Sequence, residues 1–284
     1  MIKKIINNLG LVMILCLCTT VSIAQVGTPK RIVSLSGSLT EIVDALGLGE
    51  NLVAVDVTSD YPSYVKQISK VSKNRSITAE GVASFRPDMV LGFEGEVSSA
   101  VLAQLKTLNI PCVLFKQEFS AAGITDLVRK VGQSLNISVK GNQVADQLAK
   151  DIKGAVAKAK SAKATKMMFV YARGAGAMSV SGSGTAVDAV IKLAGAQNVM
   201  QGFNGYKTYN TEALVQANPE VILLFDFGMS SLGGKDAILK LPGINLTTAG
   251  KNKRVIAMDA SLLNGFSMRL PQAIQQLHEK LFGK

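Results

Sequence analysis

Short apolar runs alternate with amphipathic stretches from residue 31 to the C-terminus, and this alternation restricts the chain to α/β layers. Residues 31–35, 52–55, 89–92 and 112–115 read as buried strands. Ser38-Leu-Thr-Glu41 reads as a capping box that opens a helix ended by Gly47. Further helices are predicted near residues 79–85, 97–108 and 124–135. A second series begins with a strand at 166–171 and continues through a helix at 185–194. Strands at 221–225 and 254–258 follow, and a helix at 271–282 closes the chain. Between the series, residues 139–162 are rich in Ala, Lys, Asp and Gln, with Val144, Leu148, Ile152 and Val156 at helical spacing and one weak spot at Gly154. This stretch is either one long helix joining two α/β lobes or an ordinary crossover helix inside a single large domain.

An internal echo favours two lobes. Thr78-Ala-Glu80-Gly-Val-Ala-Ser-Phe-Arg-Pro87-Asp-Met-Val-Leu91 matches Asn210-Thr-Glu212-Ala-Leu-Val-Gln-Ala-Asn-Pro219-Glu-Val-Ile-Leu223. Each segment has a Glu in a first helical turn, then a Pro, an acid and a strand. The helix dipole alone favours such a Glu, and Pro before a strand is ordinary helix-exit chemistry. Recurrence of the whole pattern in both halves is what local preference does not explain.

The N-terminus reads as an export signal over residues 1–24. Lys3 and Lys4 precede an apolar run at residues 9–23, and Ser22-Ile23-Ala24 offers small residues at a cleavage site, so the mature chain is expected to start at Gln25. Removing 24 of 284 residues leaves enough chain for two ordinary domains. It also removes Cys16 and Cys18. Cys112 is then the one remaining thiol, so no internal disulfide can form and the fold must rest on its core. The net charge of +11 suits an anionic ligand, but the bases are scattered and form no aromatic-interleaved patch, which argues against nucleic acid.

The paired Glu-Pro segments, with Arg31-Ile-Val-Ser-Leu-Ser-Gly-Ser-Leu-Thr-Glu-Ile, resemble the iron-complex and cobalamin class of periplasmic binding proteins. The resemblance implies the class III architecture: two Rossmann-like lobes with central, mainly parallel sheets, joined by one long helix. The lobes would span residues 25–138 and 163–284. It further implies an importer partnership with an ABC permease dimer and its ATPase subunits, in which Glu80 and Glu212 dock on permease arginines. The binding protein itself would be a monomer. Within the class the chain is most similar to haemin-binding members, through residues 56–62, 181–198, 232–234, 241–244 and 262–271. Haem is then the transported ligand rather than a catalytic cofactor. Arg269 and Arg75 match propionate-binding bases, and guanidinium forks pair bidentately with carboxylates.

The iron ligands depart from that family. Its usual Tyr is replaced by Lys73, and a His found in some members is replaced by Arg173. Tyr171, Tyr206, Tyr209 and Met178 are the alternative candidates to reach the iron, with Tyr206 and Tyr209 the most cleft-like pair. Lys73 could ligate only as a neutral amine, which needs burial. Without iron ligation, the cleft would hold haem through its acid groups and flat face. The one histidine, His278, sits on the last helix beside Leu277 and Leu281 and is expected on the helix surface. A ferric siderophore or a corrinoid is the rival ligand; a bare zinc or manganese site would need several His and carboxylates. A secreted α/β hydrolase would draw on Gly182-Ser-Gly184 and His278, but no Gly-x-Ser-x-Gly elbow occurs and Thr185 reads as a helix cap. No exposed adhesive surface is announced.

Overall fold

In the first series a crossover follows each strand, and such connections force parallel pairing. The computed structural model describes residues 27–74, 76–159, 164–174 and 178–283. The predicted export signal with Cys16 and Cys18, Arg75, and residues 160–162 of the predicted long helix lie outside the described residues. Strands β1 (Ile32–Ser34), β2 (Leu52–Val55), β3 (Met89–Phe93) and β4 (Cys112–Phe115) form an all-parallel sheet in the order β2-β1-β3-β4. Helices α1 (Gly37–Ala45), α2 (Ala79–Ala83), α3 (Ser99–Thr107) and α4 (Ala121–Ser134) supply the crossovers and the exit.

Helix α5 (Ser138–Lys158) carries the chain to a second sheet. Its buried face runs Gly141, Ala145, Leu148, Ile152 and Ala155, so small residues take places that the sequence pattern gave to Val144 and Val156, which are only half-buried. The reason is proximity to α4. A Cβ added to Gly132 would stand 2.7 Å from the Gly141 Cα, so the two helices meet where neither has a side chain.

The second sheet contains β5 (Thr165–Ala172), β6 (Met178–Ser181), β7 (Ala196–Asn198), β8 (Tyr206–Thr208), β9 (Val221–Phe225) and β10 (Val255–Met258). Its helices are α6 (Ala186–Leu193), α7 (Thr211–Ala217), α8 (Asp226–Ser231), α9 (Lys235–Leu239), α10 (Thr248–Lys251), α11 (Ala260–Gly265) and α12 (Leu270–Phe282). Met167 pairs with both β7 and β9, and Val170 with both β6 and β9. Strands β7 and β6 therefore share the edge of β5 opposite β9. The parallel set β7-β5-β9-β10 repeats the order of the first sheet, with the antiparallel β6-β8 pair added beyond it.

This repetition accounts for much of the sequence echo. Arg86 (φ 46°) and Asn218 (φ 41°) both turn left-handed just before the Pro. The following acids play one role: Asp88 accepts from the Lys30 and Arg31 amides at 2.9 and 3.0 Å, and Glu220 accepts from the Lys166 amide at 2.9 Å. Backbone bonds of 2.8 Å mirror each other as well, from Asp88 N to Arg31 O and from Glu220 N to Lys166 O. Each acid thus pins the entry of the strand beside it. A single apolar core takes in the inner faces of both sheets together with α1, α4, α5, α6 and α12, while separate clusters line the outer faces.

Candidate ligand cleft

In a parallel α/β sheet the loops after the carboxyl ends of the strands form the binding edge. Here the loops of the two sheets converge on one cleft of about 780 Å³, within the size range of cofactor pockets. The first half contributes Ser36–Ser38 after β1, Asp56–Thr58 with Asp60 and Tyr61 after β2, Glu96 after β3, and Gln117 and Phe119 after β4. The second half contributes Tyr171 and Arg173 at the end of β5, Phe225 and Phe227 at β9, and Ala260, Ser261, Asn264 and Gly265 after β10, with Tyr206 from β8.

Strand alternation decides which predicted residues reach this space. Tyr171 pairs with Ser179, and Ser181 with Tyr206, so these four share the cleft-side face of the second sheet. Met178 pairs with Ala172 and packs on the opposite face, against the cluster of Met168, Val170 and Val180. Tyr209 is three residues beyond Tyr206 and so also faces away; its hydroxyl donates to the Pro242 carbonyl at 3.0 Å, and burial pushes the phenol up to about 12. Met178 and Tyr209 are therefore corrected: neither lines the cleft, because an odd register offset puts them behind the sheet. Lys73 is exposed and does not line the cleft, so the burial an amine ligand requires is missing.

The second-half wall is aromatic. The rings of Tyr171 and Phe225 meet edge-on at 6.1 Å, as do those of Tyr171 and Phe227 at 5.9 Å, and the Arg173 guanidinium lies 5.1 Å from the Phe227 centroid. Arg173 Nε donates to the Tyr171 hydroxyl oxygen at 2.6 Å. A guanidinium has no acceptor, so Tyr171 must receive this bond, which leaves its remaining lone pair and its proton for the cleft. Tyr206 stands beside it, 44% exposed, with its phenol pushed up by burial against an opposing hydrogen bond from Ser181.

At the floor, the two halves are tied together. Phe119 and Phe266 meet edge-on at 5.4 Å. Ser38 donates its hydroxyl to the Gly265 carbonyl, and Ser267 donates to Glu41. Arg269 Nε and Nη2 both donate to Glu41 Oε1, at 3.0 and 2.6 Å. These contacts overturn two expectations. Ser38-x-x-Glu41 is no capping box: Ser36 is the N-cap, Ser38 lies inside α1, and both side chains reach across to the other half. Arg269 does not line the cleft, since its guanidinium is engaged by Glu41 and Ser261. Burial raises the Glu41 carboxyl, and its bonds to Arg269 and Ser267 only partly offset that.

Elsewhere, Glu80 and Glu212 are exposed in the first turns of α2 and α7, helices capped by Thr78 and Asn210, and neither carboxylate has an ion-pair partner among the described residues. Thr185 caps α6 by accepting from the Asp188 amide at 3.0 Å. Ser183 donates to Gln201, whereas half-buried His278 packs on Phe282 beside the Ala194 carbonyl, so the two groups a hydrolase would couple have different partners.

Periplasmic binding proteins as a family match this chain over residues 32–262. The chain belongs to that family. Its fold overlays on the periplasmic heme-binding protein RhuT from Roseiflexus sp. RS-1 in apo form with a TM-score of 0.85 and 35% identity, covering 89% of this chain and 98% of that one. The periplasmic heme-binding protein BhuT in complex with two hemes gives 0.84 and 35%, covering 89% and 97%. The vitamin B12-binding protein of Yersinia pestis is 26% identical over 253 residues, 89% of this chain and 86% of its own length. The family and these neighbours are solute-binding proteins, which places the chain outside the cytoplasm as the capture component of an ABC importer.

Phe119 and Phe227 line the cleft outside every motif of the sequence, and Asp60, Tyr61 and Asn264 line it from within the stretches 56–62 and 262–271 without having been singled out. All follow the carboxyl end of a parallel strand that the sequence pattern had located, so the strand-end rule was the signal available.

Proposed function

We propose that this chain captures haem in the cleft and hands it to a membrane permease, with Tyr171 as the iron ligand and Arg173 as its support. The observation that carries this reading is the Arg173 Nε to Tyr171 Oη bond of 2.6 Å on the aromatic wall of the cleft. The guanidinium bond fixes the position of the phenol oxygen at the cleft surface, where a tyrosine oxygen can meet ferric iron. Tyr206, whose phenol burial pushes up, serves better as a flat contact than as a ligand. The heme-binding neighbours at 35% identity support the same ligand class. Arg75 would supply a propionate partner. Residues 1–24 would direct export, and the lobes would divide at residues 138 and 163 around the connecting helix. The protein would act as a monomer facing the permease dimer and its ATPase subunits.

Haemin titration followed at the Soret band tests the reading. The parent should saturate and show the charge-transfer absorption of a phenolate-bound ferric haem; Tyr171→Phe should lose that band, and Tyr206→Phe should keep it. No saturable haemin binding would refute the assignment. A corrinoid is the second reading, favoured by the vitamin B12-binding relative and by the carboxylates of Asp60 and Glu96 on the first-half wall, which can accept from ligand amides. Tight cyanocobalamin binding in the absence of haemin binding would select it.

A further inference from the structure

Tyr61 stands on the first-half wall of the cleft and remains 44% exposed. The Arg269 guanidinium carbon lies 4.0 Å from its ring centroid. That guanidinium is fixed from behind: two of its nitrogens reach Glu41 Oε1, and Nη2 also donates to Ser261 at 3.1 Å. The Glu41 side chain is 5% exposed and that of Arg269 13%, so the pair is shielded from water. Glu41 belongs to α1 of the first half, whereas Arg269 precedes α12 in the second. A carboxylate from one half thus holds a planar cation of the other, and that cation lies over the Tyr61 ring.

The loop bearing Tyr61 is wired at its other end. Asp56 accepts from the Thr58 amide at 2.9 Å and from the Thr58 and Ser59 hydroxyls at 2.5 Å. Lys70 Nζ donates to the Ser59 carbonyl at 2.5 Å, and the Gly37 amide donates to Thr58 Oγ1 at 3.3 Å. Guanidinium groups stack face-on against aromatic rings, and an aromatic ring has two faces. Arg269 covers one of them, while the ring as a whole still lines the cleft.

We propose that Tyr61 is a stacking platform for a flat aromatic ligand, and that Arg269 is a positioning residue holding this platform through the Glu41 clamp rather than a partner of ligand carboxylates. The ligand half of this proposal rests on the haem reading. It makes the contact between the halves and the ligand-binding surface one unit: the clamp that closes the floor also orients the wall.

Two measurements test it. The chain has no tryptophan, so Tyr61→Trp places a single indole at the platform. Without ligand, its fluorescence anisotropy should be that of a rigidly held ring. The anisotropy should fall when Glu41→Gln and Arg269→Gln are added together, a pair that removes both charges and leaves neither buried alone. Unchanged anisotropy overturns the positioning role. In the second measurement, haemin and its dimethyl ester are titrated into variants that keep Tyr61 unless stated. Tyr61→Leu should weaken both by roughly three- to tenfold, the size of one aromatic contact, and Tyr61→Phe should recover the loss. The Glu41→Gln/Arg269→Gln variant should weaken both ligands alike. Loss of affinity for haemin alone, with the ester unaffected, would mean that Arg269 meets a ligand carboxylate and would overturn the proposal. A parent that binds neither porphyrin overturns the haem reading and the platform's ligand with it, while the anisotropy still decides whether Arg269 holds residue 61.

Discussion

Glu41 combines deep burial with a partner that compensates it only in part. Burial raises its carboxyl above the ordinary 4.5, with the bonds from Arg269 and Ser267 acting in the opposite direction. A group whose folded-state value is raised binds its proton more tightly in the folded protein than in the unfolded chain. Its contribution to stability is therefore complete below pH 4.5 and is lost as pH rises through the higher folded-state value. Gln copies the protonated side chain, so any margin by which the parent exceeds Glu41→Gln should be widest near pH 4 and should narrow towards neutrality. Urea unfolding at a series of pH values checks the sign. A margin that widens with pH would mean that the arginine lowers the carboxyl by more than burial raises it. Nothing in the local sequence pointed to this role, since Ser38-x-x-Glu41 satisfies the capping-box pattern and the partners of both residues lie more than two hundred positions away.

The elements themselves were largely legible. Strands at 52–55, 112–115 and 221–225 occur at the predicted bounds, because each is a short apolar run between turn residues in an all-parallel region of its sheet; 221–225 is buried throughout, whereas the edge strand 112–115 is mostly half-buried. The added β6-β8 pair was missed: β8 is Tyr-Lys-Thr, exposed throughout, with no apolar face to betray it. The same limit applied in the cleft, where Tyr171 was a fair candidate but its separation from Met178 and Tyr209 required the pairing register. In α5 the helix was legible and its tight seam was not, because glycine carries no hydrophobic signal. Two substitutions separate those properties. Gly132→Ala places a methyl group 2.7 Å from Gly141 Cα, so overpacking should destabilise the fold by about 1–3 kcal/mol despite alanine's better helix propensity. Gly154→Ala meets nothing within 4 Å and should stabilise by about 0.5–1 kcal/mol. Chemical denaturation of both variants measures the contrast, and equal effects of one sign would show that α4 and α5 do not meet as described.

At the scale of the molecule, two halves of matching topology present matching helices, and only part of the duplicated sequence is consumed in building them. The left-handed residue, the proline and the acid of each segment serve the strand entries through Arg86 to Asp88 and Asn218 to Glu220. Glu80 and Glu212 do not. Each sits in the first turn of a helix already capped by another side chain, Thr78 or Asn210, and each is exposed without an ion-pair partner among the described residues. A carboxylate there gains at most about 0.3–1 kcal/mol from the helix dipole, too little to explain why both copies hold one. We infer that an external, positively charged partner uses them, as a permease presenting one such surface to each half would. Reversing both charges, Glu80→Arg with Glu212→Arg, should therefore abolish uptake of haem by cells that depend on this importer. The same double variant should bind haemin with nearly the parent's affinity, since neither residue lines the cleft. Its thermal midpoint should move little, because exposed first-turn residues carry little of the fold's stability. Uptake assays paired with Soret titration of the purified variant separate the outcomes: parallel loss of binding and uptake would assign the two glutamates to the fold, and uptake that survives both reversals would remove them from docking.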